Sequence, residues 1–172
     1  MPVSPASSHA VYVGSFDPLT LGHQDIIERG ASIFGRLTVG VGINPDKASL
    51  FGPEERVAMC KAALGHLDNV DIQTFQGLAV EFVRDCDSQV LLRGVRSLTD
   101  IDSEFTMSLA NRVLDSNIES VFLMASEGYN HISSSLIKQI AKMGSADLEK
   151  QLADFVPEAV IEPLLKRFRG QS

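Results

Sequence analysis

Ser15 and His23 share one short segment, GSFDPLTLGH, running from Gly14 to His23. Its residue types suit an anionic ligand. Gly14 permits a tight turn or a close approach to the backbone, Ser15 offers a hydroxyl, and Asp17-Pro18 bends the chain. Gly22-His23 fall where a helix begins, and a helix start exposes free N–H groups and a partial positive charge that attract phosphate. A lone histidine is more often an ordinary core or surface residue. The position of His23 beside Ser15 in a strand–loop–helix unit favours a ligand-facing role. Arg93 and Arg96 flank Gly94 in RGVRSLTDIDSE, and guanidinium groups make bidentate contacts to phosphate. Ser133, Ser134 and Ser135 open another helix in ASEGYNHISSSLIKQIA, with Ser133 a candidate N-cap. Capping alone and phosphate binding both remain open for them. Lys47, in NPDKASLF, reads by itself as a solvated charge.

The elements that must position these residues alternate. Val11 to Val13, Leu37 to Ile43, Val70 to Phe75, Val90 to Leu92 and Val121 to Met124 are short apolar or alternating runs that predict strands. Helical patterns span Gly22 to Phe34, Pro53 to Leu67, Leu78 to Cys86, Ser134 to Met143 and Pro157 to Phe168, with a small helix near Ala146 to Ala153. From Ile101, the series Ile101, Phe105, Leu109, Val113 steps by four and keeps one apolar stripe along a helix. Such alternation predicts an α/β fold: a Rossmann-like, doubly wound, five-stranded parallel sheet with C-terminal helices. Ligands bind these sheets beyond the carboxyl ends of the strands, and the polar segments above follow strands.

Composition bounds the partners. With 172 residues, 44% hydrophobic and 22% charged, the chain reads as globular. Residues 1–8 are Pro/Ser-rich and predict a flexible N-terminus; residues 9–172 predict one domain. Fifteen Lys and Arg against 22 Asp and Glu give a net charge of −7, which argues against broad binding to nucleic acid or an anionic membrane. No apolar run is long enough to span a bilayer, and the start lacks the pattern of a signal peptide. Cys60 and Cys86 have no metal-ligand spacing and predict buried free thiols. A cytoplasmic location is expected.

The segment Thr20-Leu21-Gly22-His23 resembles the signature after the first strand of nucleotidylyltransferases, in which many members carry His-x-Gly-His. Loss of the first His within FDPLTLGH, together with Lys47 before PEERV, the block Arg93-Gly94-Val95-Arg96 with its acidic run to Glu104, and the Ile132-Ser133-Ser134-Ser135 helix start, is similar to the phosphopantetheine adenylyltransferase family. The likeness runs from about Val11 to Phe168. Departures are Ser15 for the usual Thr, Ala79 for Met or Leu, His131 for an aromatic, Asp102-Ser103 for an acid–aromatic pair, and a small insertion near Asp147 to Ala153.

The resemblance implies transfer of the adenylyl group of ATP to 4′-phosphopantetheine, giving 3′-dephospho-coenzyme A and pyrophosphate. The acceptor phosphate is itself the nucleophile, mostly ionised at neutral pH, so neither a general base nor a covalent adduct is required. Catalysis then reduces to positioning and charge stabilisation. The resemblance assigns His23, as a donor and in one version protonated, to the α-phosphate transition state. Ser15 and Lys47 hold the attacking phosphate. Arg93, Leu78 and Ala79 form the pantetheine side. ATP falls to Ser15, Phe16, His23, Gly94, Val95, Arg96 and Glu104, with Tyr129, Asn130, His131, Ile132, Ser133, Ser134 and Ser135 completing its site. Mg²⁺ accompanies ATP without a protein carboxylate cage. A homohexamer and feedback inhibition by coenzyme A are also implied. The alternatives are a related transferase acting on nicotinate mononucleotide, a non-catalytic nucleotide-binding module, and a dinucleotide redox enzyme. The last lacks a Gly-x-Gly-x-x-Gly turn after the first strand.

Overall fold

A computed structural model describes residues 8–144 and 147–169. Five strands, β1 (His9–Gly14), β2 (Arg36–Ile43), β3 (Val70–Gln76), β4 (Val90–Val95) and β5 (Glu119–Met124), form one sheet in the order β3-β2-β1-β4-β5. All four pairings are parallel. The chain winds outward from β1 to β3, then crosses back to β4 and β5. Strand order therefore reverses between β1 and β4, and a crevice opens beyond their carboxyl ends. The predicted doubly wound sheet is the one observed.

Between the strands lie α1 (Leu21–Ile33), α2 (Pro53–Leu64), α3 (Ala79–Asp85) and α4 (Leu98–Leu114). After β5 come a 3-10 turn at Glu127–Tyr129 and then α5 (Ser134–Met143), α6 (Leu148–Leu152) and α7 (Glu158–Arg169). Pro53 occupies the first turn of α2, where its missing N–H costs nothing. The larger core cluster runs from Ala10, Leu37 and Leu92 in the sheet through Ile27 and Leu64 to Val160 and Leu164. Val11, Val83, Leu91 and Ile118 belong to a smaller cluster on the other face.

Two expectations change, and one apolar stripe proves exposed. The apolar stripe of α4 does not enter the core: the helix has no buried residue, and Phe105, Leu109 and Val113 are 56%, 52% and 87% exposed. It packs beside β4 and β5 at the open end of the sheet, where nothing further among the described residues covers its outer side. Cys60 is buried within α2, whereas Cys86, the C-cap of α3, packs against the smaller core cluster and is only half-buried. Ser8 is tied to the sheet through its carbonyl, which accepts from Arg36 N–H at 3.1 Å. The rest of the expected flexible terminus, residues 1–7, and Ala146 of the expected small helix lie outside the described residues. No described helix is long and apolar enough to cross a membrane.

Candidate active site

The crevice beyond β1 and β4 is a cleft of about 300 Å³ lined by the β1–α1 loop, the end of β4 and the start of α5. Ser15, His23, Arg93, Gly94, Arg96, Glu104, Ile132, Ser133 and Ser134 all line it. Two glycines permit the close packing. A Cβ on Gly94 would lie 2.9 Å from Ile26 Cγ1, and one on Gly14 would lie 2.9 Å from Phe16 Cζ.

His23 is fixed by the helix that carries it. Thr20 is the N-cap of α1, and its hydroxyl accepts from His23 N–H at 3.1 Å. In return, His23 Nδ1 accepts from Thr20 N–H at 3.1 Å. This reciprocal capping box leaves the proton of the neutral ring on Nε2. Phe16 buttresses the imidazole edge-to-face, with ring centroids 5.1 Å apart. Although one edge of His23 meets the cleft, close packing, aided by the Arg96 cation, lowers its pKa from 6.5 to about 4. His23 is thus a neutral donor at neutral pH in the free molecule.

Both arginines are held by carboxylates. Arg93 grips Glu104 through two parallel bonds, Nε to Oε2 at 2.5 Å and Nη2 to Oε1 at 2.7 Å. Arg96 donates from Nε to Asp100 Oδ2 at 3.0 Å and from Nη1 to the Ile132 carbonyl at 2.7 Å. Arg96 therefore joins the loop after β4 to the loop before α5. Glu104, expected on the nucleotide, lines the cleft and pairs there with Arg93, the residue expected on the pantetheine side. The two carboxylates, engaged in this way, form no metal cage, and the described residues contain no cluster of three potential His, Cys, Asp or Glu ligands. This donor set fits a Mg²⁺ carried by ATP phosphates and water.

Ser133 caps α5, accepting from Leu136 N–H at 3.1 Å, and Ser134 donates to the Pro18 carbonyl at 2.8 Å. Ser133 thus caps the helix as expected of an N-cap, and both residues border the cleft. The other expected residues lie outside its lining. Phe16 and Val95 are 1% exposed, so their side chains are structural. Tyr129 is half-buried, and its carbonyl accepts from Ile132 N–H at 3.0 Å. Asn130, His131 and Ser135 are exposed, with His131 edge-to-face against Phe155 at 6.0 Å. Ala79 borders a separate small hollow of about 60 Å³ with Arg93, Glu104, Met107 and Asn111. Leu78 is 48% exposed just before it. Asp102 and Ser103 are exposed on α4 and line neither cavity.

Lys47 stands on an exposed loop after β2, and its N–H donates to Asn44 O at 3.2 Å. The structure does not bring it into the cleft. It does tie the loop to the β1–α1 segment, through a residue that the sequence marks only as a bend. Asp17 is 4% exposed and accepts from Leu50 N–H at 2.8 Å, Phe51 N–H at 2.9 Å and Lys138 Nζ at 3.3 Å. Asp25 was equally hidden in sequence. Its carboxylate accepts from Ser126 Oγ at 2.9 Å and from Arg29 at 3.2 Å, tying α1 to the loop after β5.

A parallel sheet with phosphate-suited donors gathered at its switch point is the architecture of a nucleotide-binding α/β protein. The family model described as Cytidylyltransferase-like matches residues 11–140. A phosphopantetheine adenylyltransferase of Rhodopirellula baltica is 54% identical over 96% of this chain and 91% of its own length. One from Clostridium botulinum is 43% identical over 92% and 96%. Among solved structures, Plasmodium falciparum nicotinic acid mononucleotide adenylyltransferase complexed with NaAD aligns with a TM-score of 0.61. That alignment covers 93% of this chain and 95% of that one, at 12% identity, and so speaks to the fold alone. The chain belongs to the phosphopantetheine adenylyltransferase family, nucleotidyltransferases of coenzyme A biosynthesis.

Proposed function

We propose that the cleft catalyses in-line attack of the 4′-phosphopantetheine phosphate on the α-phosphorus of ATP, releasing pyrophosphate and 3′-dephospho-coenzyme A. The observation that carries this reading is the convergence of Ser15, His23, Arg93, Arg96 and Ser134 on one cleft at the switch point. The acceptor is already a nucleophile, so the work left to the protein is to overcome repulsion between two polyanions. His23 donates from Nε2 to the charge that grows on the α-phosphoryl oxygens. Its neutrality means that it supplies a fixed hydrogen bond, oriented before the substrates arrive.

Arg96, braced by Asp100 and Ile132, supplies cationic charge to the ATP phosphates. The start of α5 offers them N–H groups of its first turn. The backbone from Tyr129 to Ile132 takes the adenine end. Phe16 and Val95, with buried side chains, contribute through backbone atoms alone. Arg93 and the hollow beside Ala79 take the pantetheine arm, with Leu78 at its rim. Glu104, lining both cavities, holds Arg93 between the two substrates. Lys47 closes on the acceptor phosphate from its loop together with Ser15. With no carboxylate cluster among the described residues to hold it, a Mg²⁺ arriving with ATP would be held by phosphates and water and would supply charge neutralisation there.

We further read residues 9–172 as one domain, supported by a core that reaches from β1 to α7. A homo-oligomer, in the hexameric form that the family resemblance implies, is supported by the uncovered apolar side of α4 and by Phe122 and Met124 on β5. Feedback by coenzyme A would act at the same cleft, since that product carries both the pantetheine and the adenylyl moieties. A cytoplasmic location agrees with the substrates. Pyrophosphate release from ATP, measured with 4′-phosphopantetheine or nicotinate mononucleotide as acceptor, tests the reading. Turnover is expected with the first; turnover with the second alone would overturn it.

A further inference from the structure

Arg56 is the largest fully buried side chain of the described residues, 2% exposed. It projects from α2 beneath the β1–α1 loop. Its Nη1 donates to the Ser15 carbonyl at 2.6 Å and to the Gly42 carbonyl at 2.9 Å. One guanidinium thus bridges the carboxyl ends of the neighbouring strands β1 and β2, directly under the loop that presents Ser15 to the cleft. Both acceptors are neutral. Among the described residues no carboxylate pairs with Arg56, and its Nε has no hydrogen-bond partner. The nearby carboxylate of Asp17 is taken by two backbone N–H groups and Lys138.

Burying a cation without a counter-ion is costly, and an apolar side chain of similar volume commonly serves packing as well or better. Bridging two carbonyls needs donors but no full charge. The charge itself therefore asks for an explanation, and the cleft above it supplies one. Two polyanions must meet beside Ser15, and a fixed cation in low-dielectric surroundings acts on them more strongly than one in water.

We propose that Arg56 is a positioning residue for adenylyl transfer, fixing the Ser15 carbonyl and placing an unneutralised positive charge under the attacking phosphate. The inference rests on the reading of the cleft given above. It differs from a purely structural role in what the charge does. A structural arginine would be replaced by glutamine at a cost in stability alone, because the amide still donates to a carbonyl. A positioning cation would be replaced by lysine with its activity largely kept.

The test compares the full-length wild type with Arg56→Lys and Arg56→Gln, measuring kcat, KM for each substrate, and Tm. Wild-type turnover with 4′-phosphopantetheine checks the reading of the cleft; the contrast between the two variants checks Arg56, whichever phosphate acceptor proves active. We expect Arg56→Gln to lose at least tenfold in kcat with KM for ATP within threefold, and Arg56→Lys to stay within threefold of wild type. Should Arg56→Gln fail to fold, replacement of Arg56 by citrulline, a neutral isostere that keeps the donors, is read in the same way. Arg56 has no such role if the neutral variant turns over within threefold of wild type, or if Arg56→Lys falls as far as the neutral one.

Discussion

His23 shows how a residue legible in sequence acquires its chemistry only from its surroundings. Its place in Thr20-Leu21-Gly22-His23 marks it as a ligand-facing donor, but its protonation state depends on packing against Phe16 and on Arg96. Because the folded pKa lies below the ordinary value, the unfolded chain binds the proton more tightly. The contribution of His23 to stability is therefore full above about pH 6.5 and declines as pH falls toward about 4. His9, lowered mainly by burial, acts in the same direction. Urea unfolding between pH 4 and 7 should show stability rising with pH, with a shallower rise in His23→Gln; an equal slope in the variant would mean that His23 titrates normally. The pairing of Arg93 with Glu104 was not legible. The acidic run after Arg96 offers several carboxylates, and only the phase of α4 decides which of them each arginine meets.

At the scale of elements, the loops carrying the site are held by short, buried connections. Sequence marked the starts of α2 and α5 well, because Pro53 and Ser133 are terminal signals of their own. It could not reveal that Asp17 reaches across to the loop that bears Lys47, since the partners are the backbone N–H groups of Leu50 and Phe51. Removing that carboxylate leaves buried donors unpaired, at about 1–3 kcal/mol each. Asp17→Ala should lower stability by that order in denaturant titrations and raise KM for the acceptor more than KM for ATP. An unchanged acceptor KM would separate the Lys47 loop from catalysis. Thr20→Ala removes the cap of α1, worth about 1 kcal/mol, and the hydroxyl 3.1 Å from His23 Nδ1, leaving the backbone Thr20 N–H as the ring's remaining partner in the capping box. It should cost more in kcat than in stability, and a loss confined to Tm would show that the capping box does not orient the imidazole.

For the whole molecule, strand number, parallel direction and the location of the cleft were readable from the alternation of elements and the handedness of their crossovers. The outer surface was less so. A helical stripe such as Phe105, Leu109, Val113 has the same period whether it meets a core or another subunit, so periodicity cannot tell the two apart. Only the position of α4 beside β5, at the open end of the sheet, shows that its apolar side is uncovered among the described residues. Val113→Glu, 87% exposed, should leave the fold intact and shift sedimentation toward smaller species. Unchanged sedimentation would place the subunit contact elsewhere. The central claim is that this cleft accelerates transfer by stabilising charge in the transition state. It is tested most directly by His23→Ala, with kcat and ATP affinity measured on the same preparation. Loss of one well-placed donor predicts a kcat lower by about 10²- to 10³-fold with ATP binding nearly preserved; full turnover, or a loss explained by weaker ATP binding alone, would contradict it.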